Sequence, residues 1–368
     1  MTYAQPSQPA GAFQLDALRV YIEGDELFDA MLSAIASARH SVKLESYIFA
    51  DDEIGRRFAQ ALMDCAARGV QVLMHLDAAG SLFWSSRSLE RRLKHHGVAV
   101  RWFHRWSWRQ PWRYNQRNHR KLLVIDGRVG FLGGFNIHRE NSRAVFGDAR
   151  WRDTHVCVTG ELAGGLQTLF DAFWRRRARR YPFILAQNGD ALISNYSLRG
   201  RLFLRRLYGV KFATAKHRIW LSTPYFVPDY RTQHALMRAA RRGVDVRVLV
   251  PRKNDVRIAQ WAANAAYEPL LHAGVKIYEY LPRMLHAKTT VIDSEWSTIG
   301  SANLDYRSFF VNYEINLVSM QTGLAAQLEA QYRQDLAQSE QIAAARWAHR
   351  ALFSRALELI GWAARRWL

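Results

Sequence analysis

The hydrophobic residues of this chain fall into short runs that are apolar at nearly every position. Six such runs occur in two sets of three, at residues 41–49, 70–76 and 98–103 and then at 218–223, 244–251 and 275–279. Strands that are buried on both faces have this pattern, because neither side of the sheet meets water. We therefore predict six β-strands, in sheets that helices cover on both faces.

Helical segments separate these runs. The pattern predicts helices over residues 52–68, 89–96, 232–242 and 258–272. Gly69 and Gly97 follow the first two, in the position where a glycine commonly ends a helix. The order β-α-β-α-β therefore occurs twice along the chain.

The two halves also match in sequence. Four pairs of segments correspond in the same order: 44–51 with 221–229, 66–72 with 240–246, 93–98 with 271–275, and 118–121 with 285–288. Four matches in register indicate two copies of one module. We predict a flexible tail at 1–15, a first module at 16–160, a connector at 161–195, a second module at 196–320, and an amphipathic, basic helical region at 321–368. The connector contains the basic run 175–180.

One stretch distinguishes the copies. Gly97 and His119 are 22 residues apart, whereas Gly274 and His286 are 12 apart, so the first copy carries about ten extra residues. This insert lies within residues 101–114, is dense in Arg and Trp, and contains Pro111, which breaks any long helix. We expect it to contact a membrane or to form a substrate entrance.

Charge narrows the range of partners. The chain has 368 residues, 49% of them apolar, and a formal net charge of +20. This excess of cations predicts a polyanionic partner: nucleic acid, an anionic membrane or a phosphorylated substrate. Cys65 and Cys157 are too few for a disulfide framework, and we expect free thiols in a reducing, cytoplasmic compartment. We find no uncharged apolar run long enough to predict a transmembrane helix, and the first 15 residues lack a basic signal-peptide region.

Each half contains the same spaced constellation of polar residues and glycines. The two copies are His119-x-Lys121-x4-Asp126-x6-Gly133-Gly134-x-Asn136 and His286-x-Lys288-x4-Asp293-x6-Gly300-Ser301-x-Asn303. Six positions recur at identical spacing, five of them with the same residue, and such a repeat is a specific signal. The apolar residues that follow each lysine favour a strand, on which the His and the Lys would share one face.

These residue types suit chemistry at a phosphate. Two histidines allow one nucleophile and one general acid that exchange roles between steps. Lys121, Lys288, Asn136 and Asn303 supply charge and N–H donors for a tetrahedral phosphate, so we expect no metal and no other cofactor. The glycines suit tight turns and close backbone approach.

Four carboxylates accompany the motif. A nucleophilic histidine needs an acceptor on its second ring nitrogen. We predict that Asp153 orients His119 and that Glu314 orients His286, each within its own module. Asp126 and Asp293 belong to the catalytic motif, but their place between a strand and a turn favours a structural role.

The doubled motif resembles that of the phospholipase D superfamily, from about Leu18 to Val318. The resemblance implies two α/β modules, each a mixed sheet flanked by helices, with the active site at their interface. It implies a phosphohistidine intermediate, with His119 as nucleophile and His286 as acid. The segments 151–155, 223–229, 274–280, 284–288 and 300–308 are similar to those of bacterial cardiolipin synthases, more to their short, peripheral type than to the type with N-terminal transmembrane helices.

The resemblance implies phosphatidyl transfer from phosphatidylglycerol to the glycerol hydroxyl of a second phospholipid. Phosphatidylethanolamine is a further candidate substrate, and the cytoplasmic membrane surface is the expected location. A phosphodiesterase that hydrolyses phospholipid or nucleic acid is the alternative enzyme. A non-catalytic nucleic-acid-binding protein is a third class, which the intact histidine motifs disfavour. The sequence leaves the oligomeric state open.

The last segment, 346–368, carries arginines and tryptophans around an apolar stripe. Phe353, Leu357 and Ile360 recur at helical spacing. This pattern suits a helix that lies in an anionic bilayer surface, or a helix that docks on the core with its basic face in water. Both interpretations stay open at the level of sequence.

Overall fold

Two mixed β-sheets, one from each half of the chain, form the framework of the molecule in a computed structural model. The structure describes residues 18–176 and 183–364. The predicted tail at 1–15 and most of the basic run 175–180 lie outside the described residues, as do positions 365–368 of the C-terminal segment. The presence of one mixed sheet in each half agrees with the two modules predicted from the sequence.

The first sheet has seven strands in the order β1-β7-β6-β5-β2-β3-β4. Their bounds are β1 Arg19–Tyr21, β2 Ser41–Ser46, β3 Gln71–Asp77, β4 Ala99–Phe103, β5 Leu122–Ile125, β6 Val129–Gly133 and β7 His155–Thr159. Strands β2, β3 and β4 are parallel, and the other pairings are antiparallel. The three predicted strands of this half are β2, β3 and β4, so that prediction is confirmed.

The second sheet has nine strands in the order β16-β12-β11-β10-β13-β14-β15-β9-β8. Their bounds are β8 Phe183–Leu185, β9 Ala191–Ser194, β10 Arg218–Ser222, β11 Asp245–Pro251, β12 Lys276–Tyr280, β13 Thr289–Ile292, β14 Trp296–Gly300, β15 Ile315–Ser319 and β16 Ser339–Gln341. The run from β12 to β15 repeats the neighbour order of the run from β4 to β7 in the first sheet. Both modules therefore share one topology.

Helices cover both sheets. They are α1 Gly24–Ala36, α2 Glu53–Ala67, α3 Arg87–His95, α4 Arg143–Phe146, α5 Gly160–Trp174, α6 Leu198–Thr214, α7 Tyr230–Arg241, α8 Arg257–His272, α9 Tyr306–Phe310, α10 Thr322–Ala337, α11 Ala344–Ala348 and α12 Leu352–Ala364. Three short 3₁₀ turns occur at Pro111–Asn115, Arg139–Asn141 and Gly147–Ala149. The four predicted helices are α2, α3, α7 and α8. Side-chain caps set the starts of three of them: Asp52 accepts from the Gly55 N–H, Ser86 from the Leu89 N–H, and Asp229 from the Thr232 N–H.

The predicted connector, 161–195, is part of the folded body. Helix α5 packs on β5, β6 and β7 of the first sheet and on β9 of the second. Strands β8 and β9 then extend the second sheet beyond β15. The reason is the apolar face of α5, where Leu166, Leu169 and Phe170 are buried. Because apolar surface is buried away from water, this segment connects the two modules as part of their packing.

The two sheets meet through one shared apolar core. Leu132 and Val156 of the first sheet lie in the same buried cluster as Ile299 and Leu317 of the second. Strand β6 lies close to β14 and β15. The modules therefore pack against each other as layers of one core. This packing fixes the position of the His119 motif relative to the His286 motif.

The C-terminal segment docks on the second module. Helix α12 packs along α8, and the buried Glu358 and Gly361 face that contact. Arg350 joins it by ion pairs to Glu358 (2.7 Å) and Glu268 (2.8 Å). Leu359 and Ile360 are 70% and 55% exposed. The docked interpretation holds for one face, while apolar side chains still reach the surface on another; the side chain of Phe353 lies outside the described part.

Candidate active site

Two short cross-module pairings bring the motifs together. Asn118 forms a parallel bridge with Tyr313, and Arg152 forms an equivalent bridge with Leu285. The His119 N–H donates to the Tyr313 carbonyl (3.0 Å), and the His286 N–H donates to the Arg152 carbonyl (2.6 Å). Each histidine therefore lies beside the chain segment of the other module that carries a carboxylate.

The histidine–carboxylate pairs cross between the modules. The His119 ring Nδ1 lies 3.0 Å from a Glu314 carboxylate oxygen, and the His286 Nδ1 lies 2.5 Å from Asp153 Oδ2. Our prediction that each carboxylate orients the histidine of its own module is wrong. The physical reason is the pair of parallel bridges, which place the residue after Tyr313 next to His119 and the residue after Arg152 next to His286.

Both imidazoles present their second nitrogen to one pocket. With Nδ1–H donating to a carboxylate, the neutral tautomer leaves Nε2 with a free lone pair. His119 and His286 both line a cavity of about 660 Å³, together with Asn136 and Asn303. Burial lowers the pKa of both histidines, that of His286 to about 3. Burial therefore favours the neutral form of both imidazoles.

The two lysines are buried just behind the histidines. Lys121 Nζ donates to the His119 carbonyl (2.8 Å), and Lys288 Nζ donates to the His286 carbonyl. Strands β5 and β13 begin immediately after Lys121 and Lys288, so the His and the Lys of each motif precede the strand. Our prediction that they lie on the strand is wrong. Desolvation lowers the pKa of Lys121 to about 7 and that of Lys288 to about 8. An entering anion would be attracted by both ammonium groups.

The two asparagines complete the pocket wall. Asn136 Oδ1 accepts from the Ile48 N–H (3.1 Å), which leaves its NH₂ group to serve as a donor. The Asn303 backbone N–H donates to Ser308 Oγ (3.0 Å). Within the described residues Asn303 Oδ1 is buried without a hydrogen-bond partner. Such a group is typical of a site that binds a polar ligand.

Asp126 and Asp293 lie in turns, outside the residues that line the pocket. Both have positive φ, 51° and 52°. The Asp126 carboxylate accepts from the backbone N–H groups of residues 39, 40 and 41, and Asp293 repeats this with residues 216, 217 and 218. Burial would raise the pKa of each carboxyl, but the three donors outweigh it and lower the pKa. These two aspartates anchor the starts of β2 and β10, in line with the structural role that their position favours.

The small residues of the motif make room for the carboxylates. A Cβ on Gly134 would lie 2.0 Å from Asp153 Oδ1, so only glycine fits beside that side chain. Ser301 occupies the equivalent position in the second module, and its hydroxyl donates to Glu314 (2.5 Å). Ser308 donates to the same carboxylate (3.0 Å). These serine donors were not identified from the sequence, because only the fold brings residue 308 to Glu314.

Two tyrosines at equivalent positions were also missed. The Tyr47 ring lies 5.0 Å from the His119 ring, and the Tyr225 ring lies 6.4 Å from the His286 ring, both edge-on. Lys121 Nζ lies 5.2 Å from the Tyr47 centroid. The internal repeat pairs segment 44–51 with 221–229, so a tyrosine shared by both segments was a usable signal. The Trp151 ring lies 5.2 Å from the His286 ring. Residue 151 is outside the four repeated segments, so the repeat gave no signal for it.

The fold and the site together define a duplicated α/β protein with one histidine from each module in a shared, lysine-backed pocket. A family model described as "Cardiolipin synthase, PLD-like domain" matches residues 31–174 and 210–336. The chain belongs to this family.

Two relatives agree with this assignment, and one solved structure shares the fold. The chain is 35% identical over 334 residues to cardiolipin synthase A of Pseudomonas fluorescens, covering 89% of this chain and 70% of that protein. It is 40% identical over 313 residues to a cardiolipin synthase of Geobacillus thermodenitrificans, covering 81% and 61%. The structure of phosphatidylserine synthase from Haemophilus influenzae matches with a TM-score of 0.73 at 14% identity over 96% of both chains, which shows the shared fold. None of the helices in residues 18–176 and 183–364 is long and apolar enough to cross a bilayer.

Proposed function

We propose that this chain is a phosphatidyltransferase that joins two phospholipids, with phosphatidylglycerol as the donor and cardiolipin as the product. The observation that carries the proposal is the pair of crossed histidine–carboxylate contacts around one pocket backed by two buried lysines. Relatives at 35–40% identity that are named cardiolipin synthases support the choice of substrate.

In the first step we assign His119 as the nucleophile. Its Nε2 forms a bond to the donor phosphorus, and the bond from phosphorus to the headgroup glycerol oxygen breaks. His286, protonated on Nε2, gives its proton to that oxygen, so glycerol leaves as a neutral alcohol. Glu314 holds Nδ1–H of His119 and stabilises the positive charge that forms on the ring.

In the second step the terminal glycerol hydroxyl of another phosphatidylglycerol attacks the phosphorus. Its proton passes to the now neutral His286, and the phosphorus–nitrogen bond to His119 breaks. The products are cardiolipin and the enzyme in its starting protonation state. The net reaction consumes two phosphatidylglycerol molecules and yields one cardiolipin and one glycerol.

Lys121, Lys288, Asn136 and Asn303 are assigned to bind the phosphate oxygens. Fixed donors at a developing charge act strongly in a buried site, because little solvent reorganisation is needed. A phosphodiester anion in the pocket also raises the pKa of both imidazoles, since an opposite charge favours the protonated form. Substrate binding thus favours the uptake from solvent of the proton that His286 needs for the acid step.

The enzyme is proposed to work at an anionic membrane surface from the cytoplasmic side, as a peripheral protein. The formal charge of +20 attracts anionic headgroups. Cys65 and Cys157 are free and buried, which suits a reducing compartment. Water can replace the acceptor hydroxyl in the second step, so phosphatidic acid is the expected side product. Nucleic acid, the alternative substrate, is disfavoured by the family of lipid-acting relatives.

A lipid assay tests the proposal. Purified protein is mixed with phosphatidylglycerol vesicles, with or without phosphatidylethanolamine, and the products are identified by mass spectrometry. Cardiolipin and glycerol are expected from the wild type and should be lost in His119→Ala and His286→Ala. His217→Ala, an exposed histidine elsewhere on the second module, is the matched control. Full cardiolipin synthesis by either active-site variant would contradict the site, and phosphatidic acid as the sole product would contradict the transfer.

A further inference from the structure

A second cavity lies beside the catalytic pocket, between α3 and the insert of the first module. Its volume is about 920 Å³, which is the size of a small-molecule site. Leu82, Trp102, Trp106 and Tyr114 supply apolar surface, and α3 supplies cations. We call this cavity the side groove.

The side groove is continuous with the catalytic pocket. Tyr114 lines both cavities, and the adjacent residues Ala78 and Ala79 line the groove and the pocket respectively. Asp77 precedes these two alanines, and its carboxylate accepts from the Asn118 N–H (2.8 Å). Asn118 is the residue immediately before His119. A ligand held in the groove can therefore extend past Tyr114 to the reacting atoms.

The charge of the side groove favours an anion. Arg87, Arg91 and Lys94 lie along one face of α3, and Arg105 approaches from the insert. The single acidic residue of the lining, Glu90, is already paired with Lys94 (2.7 Å) and Arg105 (3.0 Å). Among the described residues, no carboxylate forms an ion pair with Arg87 or Arg91. A guanidinium group that has no carboxylate partner suits the binding of a phosphodiester.

Apolar side chains at the rim favour a lipid over other anions. Leu82 and Phe83 are 56% and 91% exposed on one loop, and Trp106 and Trp108 are 65% and 78% exposed on the insert. Large apolar groups that project into water beside arginines are typical of a surface that enters a bilayer interface. The rim therefore gives acyl chains a path between the membrane and the groove.

We propose that the side groove binds the acceptor phospholipid, an anionic diacylglycerol phosphodiester; this inference rests on the proposed function. Its phosphate lies at Arg87 and Arg91, its acyl chains pass Leu82 and Trp106, and its headgroup hydroxyl reaches past Tyr114. The second module lacks the insert, since only 12 residues separate Gly274 from His286. The insert thus gives two chemically identical lipids different places in a nearly symmetric site.

The test is the double variant Arg87→Glu/Arg91→Glu, assayed on phosphatidylglycerol vesicles. Replacing two cations beside a bound anion by carboxylates should lower the ratio of cardiolipin to phosphatidic acid at least about tenfold, because water then competes better for the intermediate. Arg231→Glu/Arg238→Glu is the matched control: both arginines are exposed on α7, and the change in charge is the same. The control should keep the wild-type ratio. If both products fall in parallel in the groove variant, the acceptor role is wrong.

A binding measurement separates failure of this inference from failure of the proposed function. Titration of His119→Ala with dihexanoyl phosphatidylglycerol should give two lipids per chain, and one when Arg87→Glu/Arg91→Glu is added. This result does not depend on turnover. Unchanged lipid stoichiometry in the groove variant would overturn the inference. Binding of single-stranded DNA is measured on the same proteins, because a nucleic acid is the other polyanion that the groove could hold. If Arg87→Glu/Arg91→Glu lost DNA binding and kept both lipids, the inference would also be wrong.

Discussion

At the scale of single residues, the crossed pairs decide how the two histidines differ in their surroundings. Glu314 receives hydroxyl donors from Ser301 and Ser308 as well as the His119 ring. Asp153 receives the Thr154 N–H and lies 4.0 Å from Lys288 Nζ. The two carboxylates therefore occupy equivalent positions in the two modules but have different hydrogen-bond donors and neighbouring charges. The two histidine rings accordingly differ in their electrostatic surroundings.

The crossing makes a specific prediction for Asp153→Asn. Because Asp153 touches His286, the variant should impair the acid step and slow glycerol release about 10²–10⁴-fold. A phosphatidyl p-nitrophenyl ester needs no proton on its leaving group, so its burst of p-nitrophenol should fall much less. Glu314→Gln, which acts on His119, should lower both reactions. If Asp153→Asn abolished the burst and Glu314→Gln spared it, the crossed assignment would be wrong.

The buried lysines predict a basic limb in the pH profile. Their pKa values of about 7 and about 8 are depressed, so both ammonium groups lose their charge as the pH rises through this range. The kcat/KM for phosphatidylglycerol should therefore decline between about pH 7 and 8 and be highest below it. Bound phosphate stabilises the charged form, which moves the limb of kcat to higher pH. Glycerol release measured from pH 6 to 9 checks this, and a kcat/KM that rises across the range would contradict it.

At the scale of elements, the sequence predicted what depends on local pattern. All ten strands and helices of the two β-α-β-α-β units were predicted to within a few residues, because buried parallel strands and amphipathic helices have clear signatures. Helix α6 was missed: its buried residues, among them Leu204, Tyr208 and Phe212, alternate with many arginines. The pairing of each carboxylate with the histidine of its own module was wrong for a different reason. Distance along the chain carries no information about which module the start of a strand faces.

Helix α12 provides a test of element docking. A Cβ on Gly361 would lie 2.4 Å from the Ala262 backbone nitrogen in α8, and backbone cannot move aside easily. Gly361→Ala should weaken the docking by about 1–3 kcal/mol and speed amide hydrogen exchange in α12. Gly209→Ala in α6 is the same substitution with no atom within 4 Å, and it should be neutral or stabilising by about 1 kcal/mol. Equal exchange rates in the two variants would show that α12 is not held at Gly361.

At the scale of the whole molecule, the shared core and a buried ion pair bind the modules together. Arg152, on the segment that bridges to Leu285, pairs with Asp335 of α10 (2.8 Å), and both side chains are almost completely buried. The same arginine donates to the Thr154 hydroxyl (3.2 Å). This contact joins the segment that carries Asp153 to helix α10.

Breaking that pair should destabilise the entire protein. Arg152→Met leaves Asp335 buried without a cation, at an expected cost of about 3–5 kcal/mol. The double variant Arg152→Met/Asp335→Leu removes both charges and should recover most of the loss. Thermal unfolding followed by circular dichroism measures both, and a double variant no more stable than the single one would rule out the ion pair as the cause. One transition is expected for both sheets, because they share one core.

The crossed carboxylates also bear on how such a protein could arise. A single module of this type holds one imidazole and the acceptor that another copy needs, so alone it is half of a reaction centre. Two separate copies would have to find each other in solution, and their activity would depend on concentration. Fusing them into one chain makes the encounter permanent and removes the demand that both halves stay alike. After that, an insertion such as the Arg- and Trp-rich stretch can specialise one half without disturbing its twin.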